Sequence, residues 1–494
     1  MRVLFAASEA YPLIKTGGLG DVIHGLPMAL NNKGVDVRLV LPAYRSLMNK
    51  IESLQIIGRF EVAGANRTHM VQVIESRFNG TGIPLLLIDV PELFDRDGGP
   101  YLHLDGHDWP DNAERFSVFS RAVAELSMDV INSGWSADIV HCHDWQTGLV
   151  PAFLQNIPSA PKSIFTIHNL AYAGLFNYES FASLGFPPEW WSPELIEFYD
   201  SMSMLKAGIL FADEVTTVSP RYAYEITTPE FGHGMDGVLR SVEHKLVGIL
   251  NGIDHDTWDP QSDVTLAQNY SINSDYVAGK RANKKALFAE LGLSTDKTSL
   301  EKPLLGFVGR LVEQKGIDLI LELIPQLMRR HDLNIVILGS GHEHYEIELT
   351  EMMGHYPENL SVEIGYSERR AHLIEAAADL FLMPSRFEPC GLNQLYSLCY
   401  GTLPIVHYAG GLADSVVDAT VENIDTRQAT GFHFYTPDVD AFYGAVERAL
   451  KMFQDKRLWN QLIETAMAQD FSWEHSSEDY ISLYNSLDIS TDAN

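Results

Sequence analysis

The sequence RVLFAASEAYPLIKTGGLGD, residues 2–21, decides the fold class. It joins a short apolar run, Arg2–Ala7, to a glycine-rich loop, Lys15–Asp21, and a helix-length amphipathic stretch follows. A short apolar run that ends at turn residues is typical of a buried parallel strand, and the helix after it crosses back to the next strand. The pattern therefore predicts the first strand, loop and helix of a doubly wound α/β domain.

The same alternation recurs along the 494 residues, a length that favours two or three domains. The first series predicts strands at Arg2–Ala7, Val35–Leu41, Leu85–Val90, Asp138–Cys142, Ser163–Ile167, Glu214–Val218 and Leu246–Leu250, and helices at Asp21–Asn31, Ala113–Ile131 and Met204–Phe211. The second series predicts strands at Leu304–Val308, Asn334–Leu338, Ser361–Ile364, Leu380–Met383 and Leu403–Val406, and helices at Ile317–Met328, Glu368–Ala377 and Leu412–Ala419. We therefore expect an α/β protein of two facing Rossmann-like domains, with ligands bound at the carboxyl ends of the strands in an interdomain cleft.

Two further segments do not fit this alternation. Residues 251–294 begin with an Asn-Gly pair and show no clear strand pattern, so we expect an interdomain turn followed by a polar connection. The tail from about Trp473 to Leu487 is predicted to be a helix.

Composition excludes several classes of protein. With 46% hydrophobic residues, the chain has enough apolar material for large cores and is not expected to be disordered or fibrous. Its 66 acidic and 35 basic residues give a net charge of −31, which argues against nucleic acid or an anionic membrane as a partner. Three cysteines without a CxxC pair, and no run of membrane-spanning length, favour a cytoplasmic location.

The loop after the first predicted strand has the features of an anion site. The backbone of Gly17 and Gly18 can approach a ligand closely, a helix N-terminus adds N–H donors, and Lys15 adds a cation. The spacing is neither G-x-G-x-x-G nor a Walker loop, which disfavours a dinucleotide dehydrogenase and a P-loop ATPase. The alternative, that the glycines only join a strand to a helix, stays open.

Two loops of the second series carry charged side chains at the carboxyl ends of predicted strands. Arg310 and Lys315 follow Leu304–Val308, which suggests a diphosphate or similar dianion, although either residue alone could form a surface ion pair. Glu388 follows Leu380–Met383, where it could bind sugar hydroxyls or stabilise a cationic transition state. Its alternative role is a first-turn charge that complements a helix dipole.

In the first series, carbohydrate is the ligand that the residues at strand ends suit best. Asp144 and Trp145 place a carboxylate beside an aromatic ring, and Tyr101 lies in a loop where a ring can stack on sugar or simply pack. His168 ends another strand, where a buried hydrogen-bonded histidine is the alternative to a catalytic one. No metal site is predicted.

Taken together, these motifs resemble the bacterial glycogen synthase and plant starch synthase family over essentially the whole chain. The segments that carry the resemblance are Ser8-Glu9 with Lys15–Val22, His143–Trp145, Ile167–Leu170, Asn251–Asp254, Gly309–Leu311 with Gln314–Gly316, and Glu388–Leu392. The resemblance implies the GT-B arrangement, with residues 1–246 as the acceptor and catalytic domain and residues 247–473 as the donor domain. It also implies that a tail helix of about 474–494 packs back on the first domain.

The reaction that the resemblance implies is transfer of glucose from ADP-glucose to the non-reducing end of an α-1,4-glucan, with retention of configuration, release of ADP, and no cofactor or metal. Carried over residue by residue, the donor set is Lys15, Gly17, Gly18, Asp21, Arg310, Lys315, Tyr366, Cys390, Gly391, Leu392 and Asn393. The acceptor and sugar set is Tyr101, Asp144, Trp145, His168 and Asn251. The catalytic set is Glu388, His168, Asp144, Lys315 and Arg310, with any nucleophile left open.

The sequence departs from the family pattern at two positions. Asn393 and Ala409 stand where the family usually has threonine, which puts donor affinity in question at Asn393. Two other functions stay open: a related glucosyltransferase that uses UDP-glucose or a small acceptor, and a catalytically silent glucan-binding protein.

Overall fold

The computed structural model describes residues 1–78 and 80–487 and divides into two compact units. The first unit is Met1–Gly252 together with the C-terminal segment that begins at Trp473, and the second unit is Ile253–Ser472. The last residues of the predicted tail helix, 488–494, lie outside the described residues.

A nine-stranded sheet forms the centre of the first unit, in the order β12-β11-β7-β6-β1-β2-β5-β4-β3. The strands of this unit are β1 (Arg2–Ala6), β2 (Asp36–Pro42), β3 (Gln55–Ala63), β4 (Thr68–Arg77), β5 (Pro84–Asp89), β6 (Ile139–His143), β7 (Lys162–Ile167), β8 (Leu175–Phe176), β9 (Glu197–Phe198), β10 (Ser201–Ser203), β11 (Glu214–Thr217) and β12 (Leu246–Gly248). Its helices up to Gly252 are α1 (Gly18–Asn32), α2 (Arg45–Met48), α3 (Pro91–Phe94), α4 (Asn112–Ser127), α5 (Val150–Leu154), α6 (Tyr178–Ser183), α7 (Met204–Phe211), α8 (Pro220–Glu225) and α9 (Asp236–Ser241). Strands β8, β10 and β9 form a separate small sheet.

The seven strands predicted for the first series are present, each with ends within two residues of the prediction. All seven pair in parallel with a neighbour, and all of them except β12 are largely buried, as is typical of parallel strands that helices cover on both faces. The first unit extends past the predicted boundary at residue 246, because β12 pairs with β11 in the same sheet. The antiparallel strands β3 and β4 were not predicted, since β3 is largely exposed and lacks a continuous apolar run.

The second unit is built on a six-stranded parallel sheet in the order β15-β14-β13-β16-β17-β18. Its strands are β13 (Leu304–Val308), β14 (Asn334–Gly339), β15 (Leu360–Ile364), β16 (Leu380–Met383), β17 (Leu403–His407) and β18 (Phe432–Phe434). Its helices are α10 (Tyr276–Leu291), α11 (Lys297–Glu301), α12 (Ile317–Arg330), α13 (Glu343–His355), α14 (Glu368–Ala377), α15 (Asn393–Cys399), α16 (Gly410–Ser415), α17 (Val421–Asp425), α18 (Val439–Phe453) and α19 (Lys456–Met467).

Two helices of the second unit differ from what the sequence indicated. The polar connection contains helix α10, whose ends carry ordinary signals: the Asp275 side chain accepts a hydrogen bond from the backbone N–H of Ala278, and Gly292 ends the helix at φ 73°. The helix predicted at Leu412–Ala419 instead spans Gly410–Ser415, because the chain turns into extended backbone at Val416.

The C-terminal helix α20 (Trp473–Ser486) belongs to the first unit. Trp473, Tyr480 and Tyr484 are buried, and the Trp473 ring lies so close to α1 that a Cβ on Gly25 would stand 2.0 Å from its Nε1. The hydroxyl of Tyr484 lies 2.8 Å from Nδ1 of His141 on β6. Aromatic burial against α1 and this polar contact hold the helix to the first unit.

Candidate active site

The glycine-rich loop of the first unit is held by a buried carboxylate, Glu9. Glu9 follows β1 and accepts hydrogen bonds from the backbone N–H of Thr16 and of Gly17, the latter at 3.2 Å. It also accepts the hydroxyl of Tyr101 at 2.6 Å. No role for Glu9 was predicted, although an acidic residue directly after an apolar strand is an available signal. The carboxylate fixes the loop and the Tyr101 ring relative to each other.

At the N-terminus of α1, the structure leaves space beside the backbone. Gly17 has extended backbone at φ −155°, and a Cβ built on it would meet no atom within 4 Å. Packing and backbone strain therefore do not require glycine at this position, whereas close approach of a ligand would. Lys15 and Gly18 are exposed beside it, and Lys15 Nζ forms an ion pair of 2.7 Å with Asp21. The structure thus places Asp21 as the partner of Lys15.

Asp144 holds the segment that carries His168. Its Oδ1 accepts the backbone N–H of His168 at 2.8 Å, and burial raises the pKa of the carboxyl to about 7 even though backbone N–H groups of His168 and Asn169 lower it. The Asp144 backbone lies at φ 57°, ψ −179°, which is unfavourable for any residue except glycine. The strand β6 therefore ends in a strained turn that directs this carboxylate toward the next strand's loop.

The ring of His168 is held by a second histidine. His143 Nδ1 lies 3.0 Å from His168 Nε2, and His143 stacks on His141 with ring centroids 4.3 Å apart. Burial lowers the pKa of His168 and of His141 to about 3, and lowers that of His143 as well. All three rings are therefore neutral near pH 7.

Trp145 and Tyr101 form an aromatic wall in the same unit. The Trp145 ring packs edge-on against Phe116 at 4.9 Å and lies 6.3 Å from the ring of Tyr101. Gly174, at φ 59°, packs against the Trp145 ring, and a Cβ on this glycine would lie 2.6 Å from the indole. Asn251 is buried, and its Oδ1 has no hydrogen-bond partner among residues 1–78 and 80–487.

In the second unit, the two charged loops meet at Lys315 and Glu388. Lys315 Nζ contacts Glu388 Oε2, and the Ser385 hydroxyl donates to the same oxygen at 3.0 Å. The Glu388 side chain is 8% exposed, so its charge is held mainly by these two partners. The lysine and carboxylate that the sequence placed on separate loops are thus in direct contact.

Backbone contacts fix the two loops against each other. The backbone N–H of Arg386 donates to the Gln314 carbonyl at 2.8 Å, and the Gln314 amide donates to the Phe387 carbonyl at 3.2 Å. Gly316, at φ 69°, lies so close to the other loop that a Cβ would stand 2.3 Å from the Pro384 carbonyl oxygen. Glycine is required there, and its signal was present in the Gln-Lys-Gly motif.

Helix α16 packs closely against the segment after Glu388. A Cβ on Gly411 would lie 2.2 Å from the carbonyl oxygen of Cys390, and its backbone N–H donates to the Glu388 carbonyl at 3.0 Å. Gly391 has φ 73°, a left-handed conformation that favours glycine. The glycine pair before Leu412 therefore positions the Glu388 loop by close packing.

Four remaining donor-set residues differ in their surroundings. Asn393 Nδ2 donates to the carbonyl of Val308 at 2.6 Å, so its amide ties the start of α15 to the end of β13. Leu392 packs in a small apolar cluster with Ile253, Leu395 and Tyr396. Arg310 is exposed beside Gln314, and Tyr366 is 72% exposed after β15.

The described part of the chain contains neither a metal-binding cluster nor a membrane-spanning helix. Across 1–78 and 80–487, no group of three or more His, Cys, Asp or Glu residues is arranged to hold a metal ion. Within that described part of the chain, no helix combines the length and apolar character needed to cross a bilayer.

Comparison with known proteins identifies the family. Residues 2–241 match the model of the starch synthase catalytic domain, and residues 295–468 match that of the glycosyl transferases group 1. The glycogen synthase of Hydrogenovibrio crunogenus is 51% identical over 99% of this chain and all of that protein. The chain belongs to the glycogen synthase family. A second relative, the glycogen synthase of Cellvibrio japonicus, is 49% identical over 98% of this chain and 99% of its own length.

Solved structures agree with membership of the glycogen synthase family. The catalytic domain of starch synthase IV from Arabidopsis thaliana, bound to ADP and acarbose, has a TM-score of 0.86 and 34% identity, with 98% of each chain covered. Sucrose-phosphate synthase from Thermosynechococcus elongatus shares only the fold, at a TM-score of 0.59 and 15% identity over 98% of each chain. This family member is therefore a glucosyltransferase with two α/β domains of the GT-B fold, and the predicted family and fold class are confirmed.

Proposed function

We propose that the chain transfers glucose from ADP-glucose to the non-reducing end of an α-1,4-glucan, with retention of configuration and release of ADP. Relatives called glycogen synthase, and a solved starch synthase bound to ADP and acarbose, support this substrate pair. The single observation that carries the proposal is the Lys315–Glu388 contact, because it joins a cation suited to a leaving diphosphate with a carboxylate suited to a sugar.

The second unit supplies the donor site in this proposal. Arg310 and Lys315 lie on the loop after β13, where positive charge stabilises the diphosphate as the glucosyl–oxygen bond breaks. The exposed ring of Tyr366 is available to stack on adenine. Glu388 is held by Lys315 and Ser385 and would face the donor sugar, where a carboxylate opposes the charge of a developing oxocarbenium ion.

The first unit supplies the acceptor and sugar contacts. Trp145 and Tyr101 offer ring faces and edges to glucose residues. Lys15 and the open backbone at Gly17 offer N–H groups that can hydrogen-bond to the phosphate or sugar of ADP-glucose. Asn251 brings a buried amide oxygen to the acceptor and sugar set. Asp144 already accepts backbone N–H groups, so we assign it to holding the His168 segment and not to nucleophilic attack.

In the proposed reaction, one bond to the anomeric carbon breaks and one forms, both on the same face of the sugar. The bond from the anomeric carbon to the diphosphate oxygen breaks, and the hydroxyl oxygen of the glucan's terminal residue forms the new bond. The acceptor's proton passes to the departing phosphate oxygen, so that ADP leaves with the displaced electron pair. The role of the protein in this step is to position both substrates and to stabilise the developing charges.

Parallel initial-rate assays test the substrate assignment. Glucose transfer onto glycogen is measured from ADP-glucose and from UDP-glucose, without added metal, for the wild type and for Glu388→Ala. We expect a strong preference for ADP-glucose and near-complete loss of transfer in the variant, while Asp332→Asn, which removes an exposed carboxylate of the same unit, stays at the wild-type rate.

Other results would redirect the proposal. Preference for UDP-glucose would overturn the donor assignment and keep the reaction class. Absence of transfer from either donor, with glycogen binding intact, would support a silent glucan-binding protein. The cytoplasmic location stays a prediction that rests on the cysteine content of the sequence.

A further inference from the structure

His143 differs from the neighbouring His141 in how its two ring nitrogens are satisfied. His141 has partners at both nitrogens, the Tyr484 hydroxyl at 2.8 Å from Nδ1 and the Thr166 hydroxyl at 2.7 Å from Nε2. His143 has one, His168, at 3.0 Å from its Nδ1. Its Nε2 is buried and has no hydrogen-bond partner among the residues that the structure describes.

This asymmetry decides where the proton of His143 lies. A neutral imidazole carries one N–H and one lone pair, and a buried N–H without an acceptor is the rarer and costlier of the two unsatisfied states. The proton is therefore on Nδ1, and the bare lone pair is on Nε2. The ring stands between the faces of Phe5 and His141, at centroid distances of 5.5 and 4.3 Å, so neither neighbour offers an acceptor to Nε2.

The proton on His143 in turn fixes the state of His168. If His143 donates through Nδ1, then Nε2 of His168 must accept, and the single proton of the neutral His168 ring is on its own Nδ1. The backbone of His168 is held independently, because its N–H donates to Asp144 at 2.8 Å. The ring is partly exposed, whereas His141 and His143 are fully buried.

We propose that His143 is a positioning residue that selects the Nδ1–H tautomer of His168, so that His168 presents a hydrogen-bond donor to an oxygen of the sugar substrate. The identity of that ligand rests on the proposed function, whereas the tautomer is a property of the free protein. Burial that lowers the pKa of all three histidines supports the neutral forms on which the tautomer depends. A fixed donor needs no reorientation when the sugar binds, which is the advantage of a preorganised site.

NMR of the free protein tests the tautomer directly. Histidines labelled with ¹⁵N are observed by long-range ¹H–¹⁵N correlation near neutral pH, and the two rings are assigned from the spectra of His143→Asn and His168→Gln. We expect both rings to be neutral with the proton on Nδ1. A proton on Nε2 of either ring, or a charged ring, would overturn the proposal.

Matched variants test the consequence for turnover. In His143→Asn the side-chain amide can still donate from about the position of Nδ1, whereas His143→Leu fills the space and donates nothing. We expect His143→Leu to lose about tenfold to a hundredfold in kcat with ADP-glucose, the usual range for an orienting hydrogen bond behind a functional group, with the Kd of ADP unchanged. His143→Asn should retain most of the wild-type kcat.

His141→Asn is the control, because it changes an adjacent buried histidine on the same face that has no hydrogen bond to His168. It should lower stability and leave kcat at the wild-type value. Equal loss of kcat in His143→Asn and His143→Leu, or in His141→Asn and His143→Leu, would show a packing role only and overturn the positioning role. If the expected tautomers are found but neither ADP-glucose nor UDP-glucose supports transfer, the proposed function fails and the tautomer assignment holds.

Discussion

The two units hold their proposed functional side chains by different forces. In the first unit, Asp144, His143 and His168 are joined by hydrogen bonds among neutral rings and backbone groups. In the second unit, Lys315 and Glu388 are joined by an ion pair on a glycine-supported loop. We expect the uncharged histidine network to keep its geometry when substrate binds, and the Lys315–Glu388 ion pair to redistribute when the proposed diphosphate binds. Changes to the Lys315–Glu388 pair should therefore affect turnover most, and changes to the histidine network should affect stability and orientation.

After Glu388→Ala, the largest effect on turnover should come from Lys315→Ala. Removal of the cation takes away stabilisation of the leaving diphosphate, and we expect ADP-glucose turnover to fall by about a hundredfold to a thousandfold. Glycogen binding, measured by co-sedimentation, should change little. Arg329→Ala, which removes an exposed cation on α12, is the control and should leave both quantities unchanged. An equal loss of turnover and glycogen binding in Lys315→Ala would contradict the donor role.

Two glycine substitutions compare the sites directly. Gly411→Ala places a Cβ 2.2 Å from the Cys390 carbonyl oxygen, so we expect a loss of about 1–3 kcal/mol in stability and a fall in turnover as the Glu388 loop shifts. Gly17→Ala meets no atom within 4 Å, so its unfolding free energy should match the wild type while KM for ADP-glucose rises. Unfolding and initial-rate measurements check both. An unchanged KM in Gly17→Ala would remove that loop from the donor site.

The buried histidines predict a loss of stability in mild acid. The folded pKa values of His141 and His168 are about 3, below the ordinary value of 6.5, so the unfolded chain binds more protons between these limits. Each such group lowers the unfolding free energy by up to about 1.4 kcal/mol per pH unit as pH falls below about 6.5. Asp144 and Glu375 act in the opposite direction, because burial raises the pKa of their folded carboxyl groups to about 7 and about 8, and these two groups offset part of the loss that the buried histidines cause.

Comparison of the wild type with His141→Asn isolates one histidine. Urea unfolding near pH 7 should show the variant to be less stable, because it loses two hydrogen bonds. The gap should narrow by about 1 kcal/mol near pH 5.5, since the variant no longer carries that histidine's protonation penalty. A gap that stays constant with pH would mean that the pKa of His141 is the same in the folded protein as in the unfolded chain.

Asn393→Thr should have the smallest effect. Asn393 donates to the Val308 carbonyl, so threonine, the usual family residue, would lose or weaken one backbone tie at a cost of about 1 kcal/mol. We expect KM for ADP-glucose to change by less than about twofold, because the Asn amide is directed at the protein. A large fall in KM would show instead that the position contacts the donor.

Continuous apolar runs made the parallel strands predictable, while other elements lacked that signal. Strands β1 and β13 are buried on both faces, so their residues are almost uniformly apolar. Strand β3 is mostly exposed, so it lacks a continuous apolar run. Helix α10 is only partly buried and carries four lysines and arginines, so its sequence has no clear apolar face. Caps at Asp275 and Gly292 were the available clue to α10.

The candidate site was predictable in its residue types and less so in its contacts. Glycine loops and cations after strands indicated where to look, and the roles taken from the family remain predictions for individual residues. The joining of Lys315 to Glu388, of Glu9 to the glycine loop, and of His143 to His168 depends on distances between segments far apart in the chain. No spacing in the sequence encodes which nitrogen of His143 is left without a partner.

The position of α20 has a consequence for synthesis of the chain. The first unit needs this helix to cover Gly25 and to contact His141, yet all of Ile253–Ser472 is translated before it. Part of the apolar surface of the first unit therefore stays uncovered while the second unit is translated. Folding of the second unit can be complete on the ribosome, whereas folding of the first is completed only when the last segment emerges.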